Sequence, residues 1–383
     1  MSKRFLLGLM ITLALLPIAI GFGAPENRLG HKMFYNPVKG RVMLYGGADW
    51  EDDAQTRTFY DDLWEYDYDS GLWFEVQTTS RPDGRFNTMV TYIPERNVLF
   101  MYGGYTQNDR VSDTWILDLD TMAWTELEPV DQPSPRSDSS ISYDPEHDVV
   151  ILFSGYRRDE VKTRQMWIYS FEDENWIEVY PENVPLHQYG HYMVYVPETG
   201  QHLMYPGHWS VMSGSVTTQH GFGGDIWEYK YPENEWIEYT ASSSPSERYW
   251  GNVAYDSDEN RIVLFGGHGT SDFDDTWCYD VDDGAWDRIS QEEKPLRRSL
   301  SSMVYDPVNK VFVLFGGRAS NGDSLADTWI MSAENMQWIE VVEEHEPVND
   351  PIQEQENAIP GFPVLSILAS IVIYYYIRQR LFG

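Results

Sequence analysis

One spacing constrains this chain more than any other feature: a pair of tryptophans nine residues apart, occurring six times. The first member stands in stretches such as "DLWEYD" and "DTWILD", at Trp64, Trp115, Trp167, Trp227, Trp277 and Trp329. The second follows at Trp73, Trp124, Trp176, Trp236, Trp286 and Trp338. Asp, Asn, Glu and Gly dominate the residues between, as a tight hairpin turn requires. The fixed spacing is expected to bring the two indoles near each other across paired strands. A motif returning at this period signals one supersecondary unit copied in tandem.

Two further marks keep the same register. A Gly-Gly pair or its remnant ends an apolar run such as "RIVLF": Gly46-Gly47, Gly103-Gly104, Ser154-Gly155, Pro206-Gly207, Gly266-Gly267 and Gly316-Gly317. Glycine there permits a positive φ or close approach by another backbone. Upstream, each unit opens on Pro-x-x-Arg with a Tyr seven residues after the Arg, as in "PENR" with Tyr35; in the fourth unit Gln188 replaces the Arg. Each unit thus holds four strands. The pattern resembles the kelch repeat over residues 25–342, and that resemblance implies an all-β, six-bladed β-propeller with one four-stranded sheet per blade. No blade buries its aromatic faces alone, so closure of the ring completes the core. The sequence does not show how the ring is latched.

The two ends read as address signals. Lys3 and Arg4 precede an apolar run from Phe5 to Ile20 and small residues up to Ala24, which predicts a secretory signal peptide over 1–23. Residues 343–358 form an acidic stalk without Lys or Arg, expected to be disordered. The apolar stretch 359–377 has the length of a transmembrane helix, and the basic tail 378–383 carries Arg378 and Arg380. Positive charge beyond the span predicts an extracellular propeller on a single-pass anchor at the cell surface. Pro360-Gly361-Phe362 before the span resembles the PGF-type C-terminal sorting signals of archaeal surface proteins, whose tails are exchanged for a lipid.

A net charge of −34 argues against a nucleic-acid partner, which needs clustered Lys and Arg. The single Cys278 excludes an internal disulfide framework. Galactose oxidase has similar kelch blades and uses copper with a Tyr–Cys cross-link, a second Tyr and two His. Cys278 sits inside "TWCYD", at a strand position held by Glu65 or Ile116 elsewhere, so that chemistry is not expected. No cofactor or metal is expected, although His187, His191, His202, His208 and His220 cluster in the fourth unit. His202 takes a mid-strand position and reads as a packed, hydrogen-bonded histidine. The run "DSDEN" at 256–260 reads as a turn, lacking the central Gly and distal Glu of a calcium loop. No nucleophile–base pair or carboxylate dyad stands out, so a binding module is favoured, with a carbohydrate-active enzyme using the same face, or a structural envelope component, as the alternatives.

Meander topology sends the loops between second and third strands, and the links between blades, to one face. These loops vary: Gly-Gly to Trp spans eleven to thirteen positions in four units, eighteen in the first and twenty-one in the fourth. Long loops on a rigid frame are where binding residues gather. Three tryptophans lie outside the repeat positions, Trp50, Trp209 and Trp250. The residues just after each Gly-Gly share their rim, among them Tyr105, His208, His268 and Arg318. The Pro-x-x-Arg arginines recur in five units, which favours a structural role, but Arg248 is kept as a candidate contact. Aromatics beside cations suit a stacked sugar ring or a protein hot spot. The expected ligand is therefore an extracellular glycan or protein, bound by a monomeric ectodomain. "LMYPGHWS" at 203–210 makes the fourth unit the leading candidate.

Overall fold

A computed structural model describes residues 23–50, 57–157, 163–205, 207–213, 216–222, 225–241 and 243–342. The segments read as leader, stalk, span and tail lie outside the described residues, except Gly23 at the end of the leader. Among the described residues no helix is long and apolar enough to cross a membrane.

The chain folds into an all-β, six-bladed propeller. Each blade is an antiparallel four-stranded sheet taken in chain order from one repeat. The innermost strands are Lys32–Asn36, Met89–Ile93, Ser140–Asp144, Tyr192–Val196, Asn252–Asp256 and Ser302–Asp306, for blades 1 to 6. Second strands such as Val149–Phe153 are buried on both faces, which explains their unbroken apolar sequence. Outer strands are largely solvated: in Ala285–Ile289 only Trp286 is buried, while Ala285, Asp287 and Arg288 are exposed.

The core is a set of seams between blades. Phe34, Met43 and Tyr45 of blade 1 pack on Leu99, Met101 and Trp124 of blade 2. Val42, Leu44 and Trp73 of blade 1 meet Val311, Val313 and Phe315 of blade 6 in the same way. The second Trp of each unit is the main wedge, and its cross-strand partner is the residue two past the first Trp. Tyr66 stands opposite Trp73 and Tyr279 opposite Trp286, so the two indoles of a unit lie on paired strands as diagonal neighbours. Trp73, Trp176 and Trp338 donate their indole N–H to Thr328, Thr114 and Thr276 of the preceding blade, at 3.0, 3.1 and 3.2 Å. Trp124, Trp236 and Trp286 have no such partner, because Leu63, Met166 and Ile226 take the threonine's place.

The latch is a belt of six backbone hydrogen bonds around the axis. Asn87 N–H donates to Gly30 O, Asp138 to Asn87, Gly190 to Asp138, Trp250 to Gly190, Leu300 to Trp250, and Gly30 to Leu300, at 2.7–3.1 Å. All six residues have φ between 48° and 64°. This left-handed turn aims each N–H at the preceding blade. The circle closes with no strand exchanged between blades 6 and 1 among the described sheets.

A second device sits outside the belt. Arg298 makes a bidentate ion pair with Asp327 at 2.6 Å and donates to Gly316 O at 3.0 Å. Arg28 with Asp62, Arg85 with Asp113 and Arg248 with Asp275 repeat it. The same aspartates accept the indole N–H of the first tryptophans Trp64, Trp115, Trp277 and Trp329. The Arg backbone completes the clamp: Gly47 N–H donates to Arg85 O and Gly317 N–H to Arg28 O, each at 2.8 Å. A Cβ on Gly46 would stand 2.8 Å from Arg85 O, so the first glycine makes room for the next blade.

Candidate functional site

Links between blades and loops between second and third strands meet on one face, as topology requires. Several of these loops are ribbons. Ala48–Trp50 pairs with Arg57–Phe59, and in blade 4 His187–Tyr189, His208–Ser213 and Val216–Phe222 form a three-stranded sheet. The segment expected to be the longest loop is therefore a hairpin laid over the face.

Aromatic side chains from both kinds of segment form an arc across blades 1 to 5. Trp50 meets Phe86 edge-on at 5.3 Å, and Phe86 lies 5.4 Å from Tyr105. Arg57 caps the Trp50 ring at 4.6 Å. Arg110 bridges onward, 5.0 Å from the Tyr105 ring and 4.3 Å from that of Tyr156. Tyr156 packs on Tyr189 at 5.7 Å, and Tyr189 touches His208, Tyr249 and Trp250. Tyr249 then meets His268, whose Nδ1 lies 2.7 Å from Asp272. The Arg318 charge is felt at Tyr249: burial raises that phenol's pKa and Arg318 opposes the rise.

Five expected contacts, Trp50, Tyr105, His208, Trp250 and His268, lie in this arc, and Arg318 borders it. Trp50 also packs on Leu29, Ala48, Phe86 and Leu300, so part of its ring is spent on the scaffold. For Trp209 only the strand position is described, opposite Gln188. Arg248, named as a contact, is a correction. Its side chain is fully buried, and its guanidinium is spent on Asp275, Gly266 O and Ser246 O. Arg28, Arg85, Arg136 and Arg298 are buried likewise, because the link turns each guanidinium into its own blade. Tyr189, Tyr249, Phe86 and Arg110 were missed. The first three occupy the position after Arg or Gln188 in their units, an aromatic coincidence visible in the sequence.

Inside the arc the belt surrounds the mouth of the central channel. Asp138 accepts from Asn87 Nδ2 at 2.6 Å, Trp250 Nε1 at 2.9 Å and Ser137 Oγ at 2.6 Å. His191 borders the mouth with its ring packed on Phe153 at 5.6 Å, and burial draws its pKa down to about 3, which keeps it neutral. His202 is buried in the seam between blades 3 and 4, with Nδ1 2.9 Å from Ser142 Oγ. Cys278 stands between Val263 and Asp287 in the third strand of blade 5, where burial pushes its thiol up to about 11. Asp256 Oδ1 accepts Asp258 N–H at 3.0 Å, so "DSDEN" is an Asx turn. Among the described residues, no three His, Cys, Asp or Glu side chains converge to hold a metal.

Comparison with known proteins extends this reading. The profile of the KLHDC2/KLHL20/DRC7 Kelch-repeats domain matches residues 17–207, 129–296 and 202–356, overlapping stretches that cover the whole propeller. The chain belongs to this kelch-repeat family. Mei4-dependent protein 6 of Schizosaccharomyces pombe is 24% identical over 268 residues, covering 63% of this kelch chain and 36% of that protein. Kelch domain-containing protein 2 of Bos taurus is 23% identical over 219 residues, 51% of each chain. Leucine-zipper-like transcriptional regulator 1 of Homo sapiens is 27% identical over 143 residues, 35% of this chain and 17% of that one. The chain therefore spans about half or less of these relatives' length.

Proposed function

We propose that this kelch propeller is an interaction module whose ligand, an extracellular protein or glycan, lies on the aromatic arc. The observation that carries the reading is Arg110 held between Tyr105 and Tyr156. A cation stacked between rings offers flat apolar faces and fixed N–H donors together, which suits sugar hydroxyls or an acidic peptide. In a chain with 61 acidic and 27 basic residues, Arg57, Arg110 and Arg318 gather along this one face. The terminal apolar segments support display of the propeller at the cell surface on a C-terminal anchor. Screening the protein against glycan and surface-protein arrays, in parallel with a Tyr105→Ala/Arg110→Ala/Tyr156→Ala variant, tests the face. Loss of the captured ligand in the variant is expected, and unchanged capture sinks the proposal.

A further inference from the structure

The channel mouth holds two opposite charges that do not pair. Lys32, on the innermost strand of blade 1, reaches across the axis to blade 4, its Nζ 5.9 Å from the Tyr192 ring centroid. Among the described residues no carboxylate makes an ion pair with it. Asp138 stands at the belt on blade 3, and its charge is felt at Lys32 without contact. Both side chains are only partly exposed. Between them lies a cavity of about 160 Å³, bordered by residues from all six innermost strands or the belt, including Asn87, Tyr192, Trp250 and Ser302. That space admits a small organic ion together with ordered water.

We propose that this mouth binds a small zwitterion, an α-amino acid of the size of glycine or alanine, with its carboxylate on Lys32 and its ammonium on Asp138. Partly buried charges left unpaired are costly, and one molecule carrying both signs relieves both costs together. The hydrogen-bond inventory leaves room for it. Among the described residues, Asp138 Oδ1 accepts two donors and Oδ2 one, so an acceptor position remains on Oδ2 there. Lys32 has three donors to offer. Burial lowers the Lys32 pKa and Asp138 offsets only part of that, as expected for an ammonium short of partners.

The mouth also carries built strain. Trp250 adopts φ 54°, which costs a non-glycine residue on the order of 1 kcal/mol, and its indole N–H holds Asp138 at 2.9 Å. Gly190 makes this possible, since a Cβ there would stand 2.6 Å from Trp250 Cδ1. The turn is the belt's own, shared with Leu300, and what Trp250 adds is the indole N–H that fixes the Asp138 carboxylate at the mouth.

Calorimetric titration of the full-length protein with glycine, and separately with acetate and methylammonium, tests the assignment. Glycine is expected to bind at least about tenfold more tightly than either half-ligand, and Lys32→Met and Asp138→Asn each to weaken it about tenfold or more. Acetate binding as tightly as glycine overturns the assignment in favour of a plain anion site, and no glycine binding overturns it outright. Should either variant fail to fold, indole ¹⁵N spectra of the unaltered protein decide. One tryptophan indole resonance moving with glycine but not with acetate supports the site, and no movement removes it.

Discussion

The join between blades 6 and 1 and the one that follows blade 4 use the same positions and different chemistry. At the first, Gly317 N–H reaches forward to Arg28 O, and Arg28 pairs with Asp62 inside its own blade. At the second, Gly207 N–H turns back to Gln188 Oε1 at 2.7 Å, within blade 4 itself. Asp225 keeps the aspartate position two residues before Trp227, without an arginine opposite it. Where the repeat is intact the clamp ties neighbours together. Where it has changed, blade 4 is tied to itself, and its ribbon carries His208 into the aromatic arc. The closing join is thus no weaker in design than the others, and the departure from the pattern falls beside the candidate site.

Removing a clamp arginine breaks this comparison most severely. Arg298→Ala leaves Asp327 largely buried without its partner and strips a donor from Gly316 O. The expected loss is about 3–5 kcal/mol in urea unfolding. Gln188→Ala removes one hydrogen bond to Gly207 and should cost only about 1–2 kcal/mol. Equal losses would mean that the clamp adds nothing beyond a single contact. Glycines sharpen the same point at smaller scale. Gly46 and Gly200 both have positive φ, at 66° and 69°, but only Gly46 faces a neighbouring backbone. Gly46→Ala should cost about 2–3 kcal/mol and Gly200→Ala about 1 kcal/mol, read as shifts of the thermal midpoint. Similar shifts would show that conformation, and not the fit between blades, sets the requirement.

The repeat was legible because it is written as residue type at fixed spacing, which a strand period and a turn impose directly. The belt was not, because Gly30, Asn87, Asp138, Gly190, Trp250 and Leu300 share a left-handed turn and no chemistry. Their common mark is a place two residues after the Arg or Gln188, and only the backbone shows what it does. Trp250 stood out as surplus to the repeat, whereas Asp138, the carboxylate it orients, was one acid among 61. Arg248 was misplaced for a related reason. Spacing locates a residue on the link but does not say that its side chain turns inward. His202 was read correctly, since a polar residue in an otherwise apolar strand position has to find a buried partner.

The blade 3–4 seam offers a pH-dependent probe. Burial alone would raise the Asp144 carboxyl. His147 at 2.9 Å and His202 at 3.5 Å outweigh that and draw its pKa down to about 2. A folded value below the unfolded one means stability fully present above about pH 4 and lost as pH falls towards 2. The loss attributable to this carboxyl is roughly 2 kcal/mol. Unfolding curves at about pH 5 and pH 2 should therefore diverge more in the native protein than in Asp144→Asn. Identical divergence would show that the seam does not draw on this carboxylate.

The smallest expected effect asks whether the altered join can be converted back. Gln188→Arg places a guanidinium near Asp225, whose charge, after burial, raises the neighbouring Glu238 carboxyl. The new pair would offset that repulsion and supply a donor for the blade, at the cost of the Gln188 Oε1 bond to Gly207 N–H. Burying a new arginine costs desolvation that offsets most of the attraction, unlike the loss of one partner from an existing pair, so the net gain should be only about 0.5–1 kcal/mol. Gln188→Arg with Asp225→Asn should erase it. A gain that survives the second change would arise from arginine packing in the link. A loss in Gln188→Arg alone would show that blade 4 has settled around its internal bond, and that the join beside the candidate site no longer accepts the arrangement used in the others.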